Sequence, residues 1–112
     1  MTTLNRDTVN ACIAACYQCA ATCDYCSTSC LNENNVAQMA RCISLDIDCA
    51  AVCRFTAGAL ARGSECSATI AMACAEICRT CGEECSKHDY EHCQECARSC
   101  QECADHCMAL AA

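Results

Sequence analysis

The stretch of residues 12–30 limits what this chain can fold into more than any other part of the sequence. It reads C-IAA-C-YQ-C-AAT-C-DY-C-STS-C, so successive cysteines are alternately four and three positions apart. That alternation is the a/d repeat of a helix packed in a bundle, where Leu or Ile usually stands. Here every such position is cysteine: Cys12, Cys16, Cys19, Cys23, Cys26 and Cys30. The stretch therefore predicts a long helix that points a stripe of thiols at the core.

Three later segments repeat this cysteine pattern. The second carries Cys42, Cys49 and Cys53, the third Cys66, Cys74, Cys78, Cys81 and Cys85, and the fourth Cys93, Cys96, Cys100, Cys103 and Cys107. At about 100° per residue, almost all of them fall on one stripe of their own helix, and Cys66 lies toward the edge. Four such stripes facing one another predict a bundle whose interior is mostly sulfur.

The rest of the composition also favours long helices. The 112 residues contain no Pro and only three Gly, and this length suits a single domain. The predicted helices are 7–31, 36–61, 64–86 and 89–109, within one metal-binding domain of residues 1–112. The predicted caps are Asp7, a capping box of Asn35 with Gln38, Gly63 at the end of helix 2, Ser64 and Asp89. Because the loops are short, we expect an all-α, antiparallel, up-down-up-down four-helix bundle.

Several classes of function are disfavoured by the charge and the motifs. A net charge of -7 makes nucleic acid and anionic membranes poor partners. No apolar run reaches the roughly 18 residues that span a bilayer, and residues 1–10 do not resemble an export signal. We therefore expect a cytoplasmic protein, in a compartment where structural disulfides are rare. Away from the thiols there is no nucleophile–base pair and no Gly-rich phosphate loop, so we do not expect an enzyme.

Nineteen cysteines are too many for an ordinary packed core, and their spacing suits metal binding. Thiolates at i and i+4 can converge on one ion, and they select Cu(I), Zn(II) or iron–sulfur clusters. With sulfurs bridging near one Cu(I) per cysteine, the core is close to neutral, whereas each four-thiolate zinc site carries -2. An iron–sulfur protein, a zinc-binding protein and a disulfide-stapled structural protein remain alternatives.

Cysteine on the inward stripe of all four helices, repeated C-x-x-x-C pairs and the lack of an export signal resemble the cytosolic branch of the bacterial copper storage proteins. The pairs are Cys12/Cys16, Cys19/Cys23, Cys26/Cys30, Cys49/Cys53, Cys74/Cys78, Cys81/Cys85, Cys96/Cys100 and Cys103/Cys107. The resemblance implies high-capacity Cu(I) storage, many ions per chain, a homotetramer, and an uptake point lined by His or Met. Cys42, Cys66 and Cys93 are unpaired cysteines of the same stripes. A copper chaperone or chelator that loads the protein would be a further partner.

One acidic residue, Asp46, occupies a position on the cysteine stripe of helix 2. Counting back from Cys49 and Cys53, Asp46 lies within about 40° of that stripe. Either the helix turns Leu45 inward and leaves Asp46 at the edge, or Asp46 is buried. In the second case it would accept hydrogen bonds from thiols or act as an oxygen ligand beside a copper ion.

Candidate uptake residues cluster at one end of the predicted bundle. The end of helix 1, the start of helix 2, the end of helix 3 and the start of helix 4 meet there, and they bring Met39, His88 and His92 together. Each alone could be a solvent-facing residue near a loop, but together they predict a mouth for copper. His106 is off the stripe near the opposite end, where Ile70 suggests a closed plug. Ser67, Ile70 and Ala71 replace possible cysteines at that end, so we expect less metal there.

The outer face of helix 2 is apolar although it points away from the thiol stripe. It carries Ala40, Ile43, Ile47, Ala51 and Phe55, and helix 3 adds Met72 and Ala75. An apolar outer stripe on a small bundle usually marks a partner surface, although scattered surface apolar residues are also common. The stripe supports a homo-oligomer independently of the resemblance.

Overall fold

A computed structural model describes residues 5–112 and contains four helices. These are α1 (Arg6–Leu31), α2 (Ala40–Ala61), α3 (Ser67–Ser86) and α4 (Glu91–Ala111). A short 3-10 helix, Val36–Met39, leads directly into α2. Helix α1 packs against α2 and α4, and α3 packs against the same two, while the diagonal pairs meet only through side chains in the core. The predicted all-α antiparallel bundle is confirmed, and it forms a rod of 51 × 18 × 18 Å.

The first helix begins one residue earlier than predicted, and its cap is Asn5 rather than Asp7. The Oδ1 atom of Asn5 accepts from the backbone N–H groups of Asp7 at 2.8 Å and Thr8 at 3.3 Å. Asn5 has the extended backbone of a cap residue, while Asp7 is already helical. Asp7 therefore lies in the first turn, where its charge is favourable for the helix dipole.

The capping box predicted for helix 2 does not form. The side-chain amide of Asn35 donates to Gln38 Oε1 at 3.2 Å, and its Oδ1 accepts from the Tyr90 hydroxyl at 2.7 Å. The oxygen that would cap the helix is therefore engaged by a residue 55 positions away in the sequence. Residues Val36–Met39 wind as a 3-10 turn instead, and α2 itself starts at Ala40.

The predicted starts of helices 3 and 4 are also too early. Ser64 belongs to a turn in which its hydroxyl accepts from the Cys66 N–H at 3.1 Å, and α3 begins three residues later, at Ser67. Asp89 is not the cap of α4, because Tyr90 takes the extended backbone of that position. Helix 4 then continues to Ala111, two residues beyond the predicted end.

The predicted glycine stop of helix 2 is confirmed. Gly63 adopts φ +68°, a left-handed conformation that glycine tolerates best. Its N–H donates to the Leu60 carbonyl at 3.1 Å, and the Ser64 N–H donates to the Ala59 carbonyl at 3.0 Å. This pair of bonds is a Schellman motif, which satisfies the last carbonyls of α2 and reverses the chain into α3.

The outer surface differs from the predicted apolar stripe at Ala75 and, in part, at Ile43, which is half-buried and packs against the core. The exposed fractions of Ile47, Phe55 and Met72 are 56%, 57% and 49%, so these side chains do lie outside the core. Ala75, which we expected on this face, is completely buried. Ala75 directly follows the buried Cys74 in α3. Its small side chain lies beside the core and is covered by neighbouring side chains. None of the helices formed by residues 5–112 is both long enough and apolar enough to cross a membrane.

Candidate metal centre

The centre of the bundle is a continuous column of thiols. Every cysteine except Cys66 is buried, and the structure records all nineteen as free thiols. The shortest sulfur–sulfur distances join different helices: 3.4 Å between Cys42 and Cys85, and 3.6 Å between Cys23 and Cys96. Cys66 is exposed in the turn before α3, consistent with its predicted place at the edge of the stripe.

The C-x-x-x-C pairs contribute to this column without being its shortest contacts. Three of them bring their sulfurs together at 3.9–4.0 Å, namely Cys19/Cys23, Cys26/Cys30 and Cys74/Cys78. The alternation of four and three residues turns each helix so that both members face inward. Pairs such as Cys19/Cys23 and Cys26/Cys30 are therefore edges of larger clusters that neighbouring helices complete.

Groups of four sulfurs form along the column, with all atoms of a group within 4.8 Å of one another. Among them are Cys16–Cys74–Cys103–Cys107, Cys19–Cys53–Cys78–Cys103, Cys19–Cys23–Cys49–Cys100, Cys23–Cys81–Cys96–Cys100 and Cys26–Cys30–Cys42–Cys93. Neighbouring groups have members in common: Cys19, Cys23, Cys100 and Cys103 each belong to two. A metal filling adjacent groups must accept bridging sulfurs, and thiolate-bridged Cu(I) meets that requirement.

Burial favours the protonated form of two thiols at one end of the column, Cys30 and Cys93, in the absence of metal. It is the main cause that raises the pKa of Cys30 and of Cys93, whose sulfurs are 3.7 Å apart. A metal ion that enters must therefore displace thiol protons, because the thiolate is the ligand. Each positive charge that enters is matched by a proton that leaves, and the column stays near neutrality.

Asp46 lies inside the column, so the alternative that leaves it at the edge is wrong. It is completely buried, and its Oδ1 accepts from the thiols of Cys81 at 3.2 Å, Cys96 at 3.3 Å and Cys85 at 3.4 Å. These donors come from α3 and α4, and they provide the contacts that draw the carboxyl inward. Leu45 is half-buried instead and lines a groove between α2 and α3.

The buried carboxyl of Asp46 is a weak acid. Burial, followed by the negative charge of Cys96 and Cys81 as thiolates, raises its pKa from 3.8 to about 10. At neutral pH the group is therefore a neutral carboxylic acid that accepts thiol hydrogens, and no unpaired buried charge results.

The end of the bundle formed by the α1–α2 and α3–α4 connections holds the predicted mouth residues. Met39 is completely buried there as part of the core. His88 is 17% exposed in its side chain and borders a surface cleft of about 380 Å³, which Asn35 and Tyr90 also line. Thiol hydrogen bonds from Cys26 and Cys85 lower the pKa of Cys42. His88 and Met39 thus lie at the same end of the bundle, His88 at the cleft and Met39 in the core.

His92 has an unusual environment on the same end. Its ring stacks on Tyr90 with the ring centres 5.3 Å apart and an interplanar angle of 8°. Its Nε2 atom is buried and has no hydrogen-bond partner among residues 5–112. Buried polar nitrogens normally have a partner, so an orphaned imidazole nitrogen on the residue before Cys93 suits a ligand for a soft metal ion.

The opposite end of the bundle is closed by aliphatic side chains. Val9, Leu60 and Leu110 are buried there, in the wall of a surface cleft of about 560 Å³. Ile70, the residue predicted to plug this end, is only half-buried. His106 is exposed on the surface of α4, as expected from its position off the stripe.

Sequence reasoning missed four residues at the mouth. These four are Glu84, Arg41, Tyr90 and Asn35. Glu84 is buried and contacts Arg41 and the imidazole of His88, while Tyr90 stacks on His92 and donates to Asn35. The spacing of four between Glu84 and His88 was a signal available in the sequence, since such residues meet on one helix face. The contact with Arg41 joins residues 43 positions apart, which no local pattern could indicate.

Comparison with known proteins agrees with this geometry. The family model described as copper storage protein matches residues 5–112, so the chain belongs to the copper storage protein family and the resemblance seen in its sequence is confirmed. The Cu(I)-bound copper storage protein BsCsp3 of Bacillus subtilis is 42% identical, with a TM-score of 0.90 over 94% of this chain and 99% of that one.

Two further relatives extend the comparison. A cytosolic copper storage protein from Streptomyces lividans, in a structure with five coppers, is 38% identical with a TM-score of 0.92, over 95% of this chain and 93% of that one. The uncharacterized cysteine-rich protein YhjQ of Bacillus subtilis is 43% identical over 68 residues, which are 61% of this chain. The matched part is 63% of the length of that relative.

Proposed function

We propose that this protein binds and stores many Cu(I) ions in its thiol column, for copper homeostasis or detoxification. The observation that carries the proposal is the sharing of Cys19, Cys23, Cys100 and Cys103 between adjacent groups of four sulfurs. Separate zinc sites each need four thiolates of their own. Cu(I) accepts bridging thiolates, so a column with shared members is suited to it.

The charge of the filled column decides its capacity. One Cu(I) with one thiolate is neutral, so filling can continue along the column without accumulating buried charge. We therefore expect well over ten Cu(I) per chain, or roughly one per cysteine. Zinc is expected to stop near about four ions, because each tetrahedral site consumes four sulfurs and leaves a charge of -2 in a dry core.

The proposed storage ligands are the cysteines that form the buried column, with Asp46 as an acceptor for thiols and an oxygen neighbour of copper. Their burial and their mutual distances of 3.4–4.0 Å support this role. Cys66 is the outermost of the proposed ligands, since it lies exposed before α3 and not in the buried column. The proposed residues of the mouth are His88, His92 and Met39, which bind a copper ion in transit.

The surroundings of the protein follow from its surface and its relatives. We propose a homotetramer assembled through the exposed apolar side chains Ile47, Phe55 and Met72, because a small protein seldom leaves such a stripe in water. We also propose a cytoplasmic location, as the Streptomyces lividans relative is described as cytosolic. Copper would arrive from a chaperone or a small chelator, and the protein has no catalytic role.

The test is an anaerobic titration of the fully reduced protein with Cu(I) in competition with a chromophoric chelator. Copper storage predicts tight uptake that continues well past about ten ions per chain. A plateau at about four ions would indicate discrete sites and contradict storage. A brown protein with bound iron, or one with few free thiols after preparation without reductant, would instead support the iron–sulfur or the disulfide-stapled alternative.

A further inference from the structure

Glu84 is a buried carboxylate at the mouth that is not a member of the thiol column. Its side chain is only 9% exposed, in the last turn of α3. Carboxylates are seldom buried without partners, and Glu84 has three basic ones. Its Oε1 is 2.5 Å from Arg41 Nη1 and 3.7 Å from Lys87 Nζ, while its Oε2 is 2.8 Å from His88 Nε2.

The two oxygens of Glu84 therefore have separate partners. Arg41, in the first turn of α2, holds Oε1 and fixes the carboxylate across the contact between α2 and α3. Oε2 faces the imidazole of His88, which lies just past the C-terminal end of α3. Because an ionised carboxylate can only accept, the Nε2 of a neutral His88 must carry the ring proton. The lone pair that can bind a metal is then on Nδ1.

We propose that Glu84, anchored by Arg41, is a positioning residue that holds His88 as the Nε2–H tautomer and presents Nδ1 to incoming Cu(I). The inference rests on the proposed function, in which His88 binds copper in transit. Histidine ligands commonly donate their second ring N–H to a carboxylate, which orients the ring and increases its basicity. Fixing the tautomer in advance means that no ring proton has to move before copper binds.

His92 offers the complementary case on the other side of the α3–α4 connection. Its ring is held by stacking on Tyr90 instead of by a carboxylate, and its buried Nε2 is the nitrogen without a partner among the described residues. The two histidines thus face copper through different nitrogens, Nδ1 for His88 and Nε2 for His92. Only His88 depends on Glu84, so the two rings can be distinguished by experiment.

The first test uses the reduced, metal-free protein and does not depend on copper. A long-range proton–nitrogen NMR spectrum reports which ring nitrogen of each neutral histidine carries hydrogen. We expect His88 to be the Nε2–H tautomer in the wild type and a mixture of tautomers in Glu84→Ala. The tautomer of His92 should be the same in both proteins. Glu83→Ala is the matched control, because it removes an equal charge from an exposed neighbour on α3. A His88 tautomer that is the same in wild type and Glu84→Ala overturns the proposal.

The second test measures the rate at which a high-affinity chelator removes Cu(I) from the loaded protein. Loss of an outer partner of a metal-binding histidine typically costs 10–100-fold, so we expect Glu84→Ala to slow the exchange about tenfold at unchanged capacity. Arg41→Gln should slow it less, because Glu84 remains, and Glu83→Ala should have no effect. Circular dichroism and the copper capacity verify that each variant is folded.

A double-mutant comparison separates failure of this inference from failure of the proposed function. If Glu84 acts through His88, then Glu84→Ala in a His88→Ala background causes no additional slowing. Additional slowing of the same size would overturn the inference and assign Glu84 a role of its own. If His88→Ala alone leaves the exchange rate unchanged, the proposed route through the mouth is wrong, whatever the His88 tautomer is.

Discussion

The two ends of the bundle differ although the same cysteine repeat runs into both. The mouth holds Met39, His88 and His92, and the buried carboxylate of Glu84 contacts His88 there. At the closed end they finish in Val9, Leu60 and Leu110, and the nearest histidine, His106, is exposed. The core repeat specifies the column of thiols, whereas the residues of the connections make its two ends different, and we propose that ions pass at the end with His88 and His92.

The same contrast continues inside the column. The half next to the mouth includes Asp46, which accepts from Cys81, Cys85 and Cys96, whereas the group Cys16–Cys74–Cys103–Cys107 lies toward the other end. A neutral acid that changes partners as thiols lose hydrogen suits the region where ions arrive. An all-sulfur region suits the place where they remain.

The largest expected effect comes from opening the closed end. Leu60 is 2% exposed, so Leu60→Ala removes buried methyl groups and leaves a cavity, and we expect a loss of about 3 kcal/mol in the free energy of unfolding of the reduced apo-protein. Urea denaturation measures it. Leu31→Ala, at a residue 58% exposed near the mouth, is the matched control and should change little. Equal losses in the two variants would mean that the ends are packed alike.

Much of this contrast was predictable from the sequence, and the parts that were not depend on distant contacts. The cysteine stripe fixed four helices and their inward faces, because a 3.6-residue period is a local property. It also placed Asp46 at a stripe position, but only the thiol donors of α3 and α4 decide that the carboxyl is inside. The capping box failed for the same reason, since Tyr90 engages the oxygen of Asn35.

The second prediction concerns pH and the half of the column near the mouth. The pKa of Asp46 is raised from 3.8 in an ordinary environment to about 10 in the folded protein, so unfolding releases a proton at neutral pH. As far as Asp46 contributes, the free energy of unfolding should therefore be highest below about pH 4. It should fall by up to about 1.4 kcal/mol per pH unit between about pH 4 and about pH 10.

Asp46→Asn removes this titration and keeps the Oδ1 acceptor, so its stability should fall less between pH 5 and 7 than that of the wild type. Reduced apo-protein is unfolded with urea at each pH under anaerobic conditions. Asp48→Asn is the control, because Asp48 is exposed on the same helix and the slope of the wild type should be retained. Parallel curves for Asp46→Asn and the wild type would show that Asp46 is ionised in the folded protein.

The third prediction concerns the route of copper through the mouth. The triple variant Met39→Leu, His88→Ala, His92→Ala lacks the neutral soft ligands that let an ion rest before it moves inward. We expect removal of Cu(I) by a high-affinity chelator to slow about tenfold, with the capacity nearly unchanged because the cysteines remain. His106→Ala, at the closed end, is the control and should exchange at the wild-type rate. A large loss of capacity in the triple variant would make these residues storage ligands instead.

The smallest expected effects come from replacing two glycines near the closed end, Gly58 inside α2 and Gly63 in the turn after it. The expected changes in the free energy of unfolding have opposite signs. Gly63 has φ +68°, but a Cβ added there meets nothing within 4 Å, so Gly63→Ala introduces backbone strain without a clash. A left-handed alanine costs about 1 kcal/mol in the free energy of unfolding. Gly58 lies inside α2, and a Cβ there meets only the end of the flexible Arg62 side chain, at 3.1 Å.

Gly58→Ala should therefore stabilise the protein by about 0.5–1 kcal/mol, because alanine favours the helix and restricts the unfolded chain. Urea denaturation of the reduced apo-protein measures both variants against the wild type. Neither glycine contacts the mouth, so copper should leave both variants at the wild-type rate. If Gly63→Ala also changed that rate, the turn between α2 and α3 would take part in copper movement, and the closed end would not be closed.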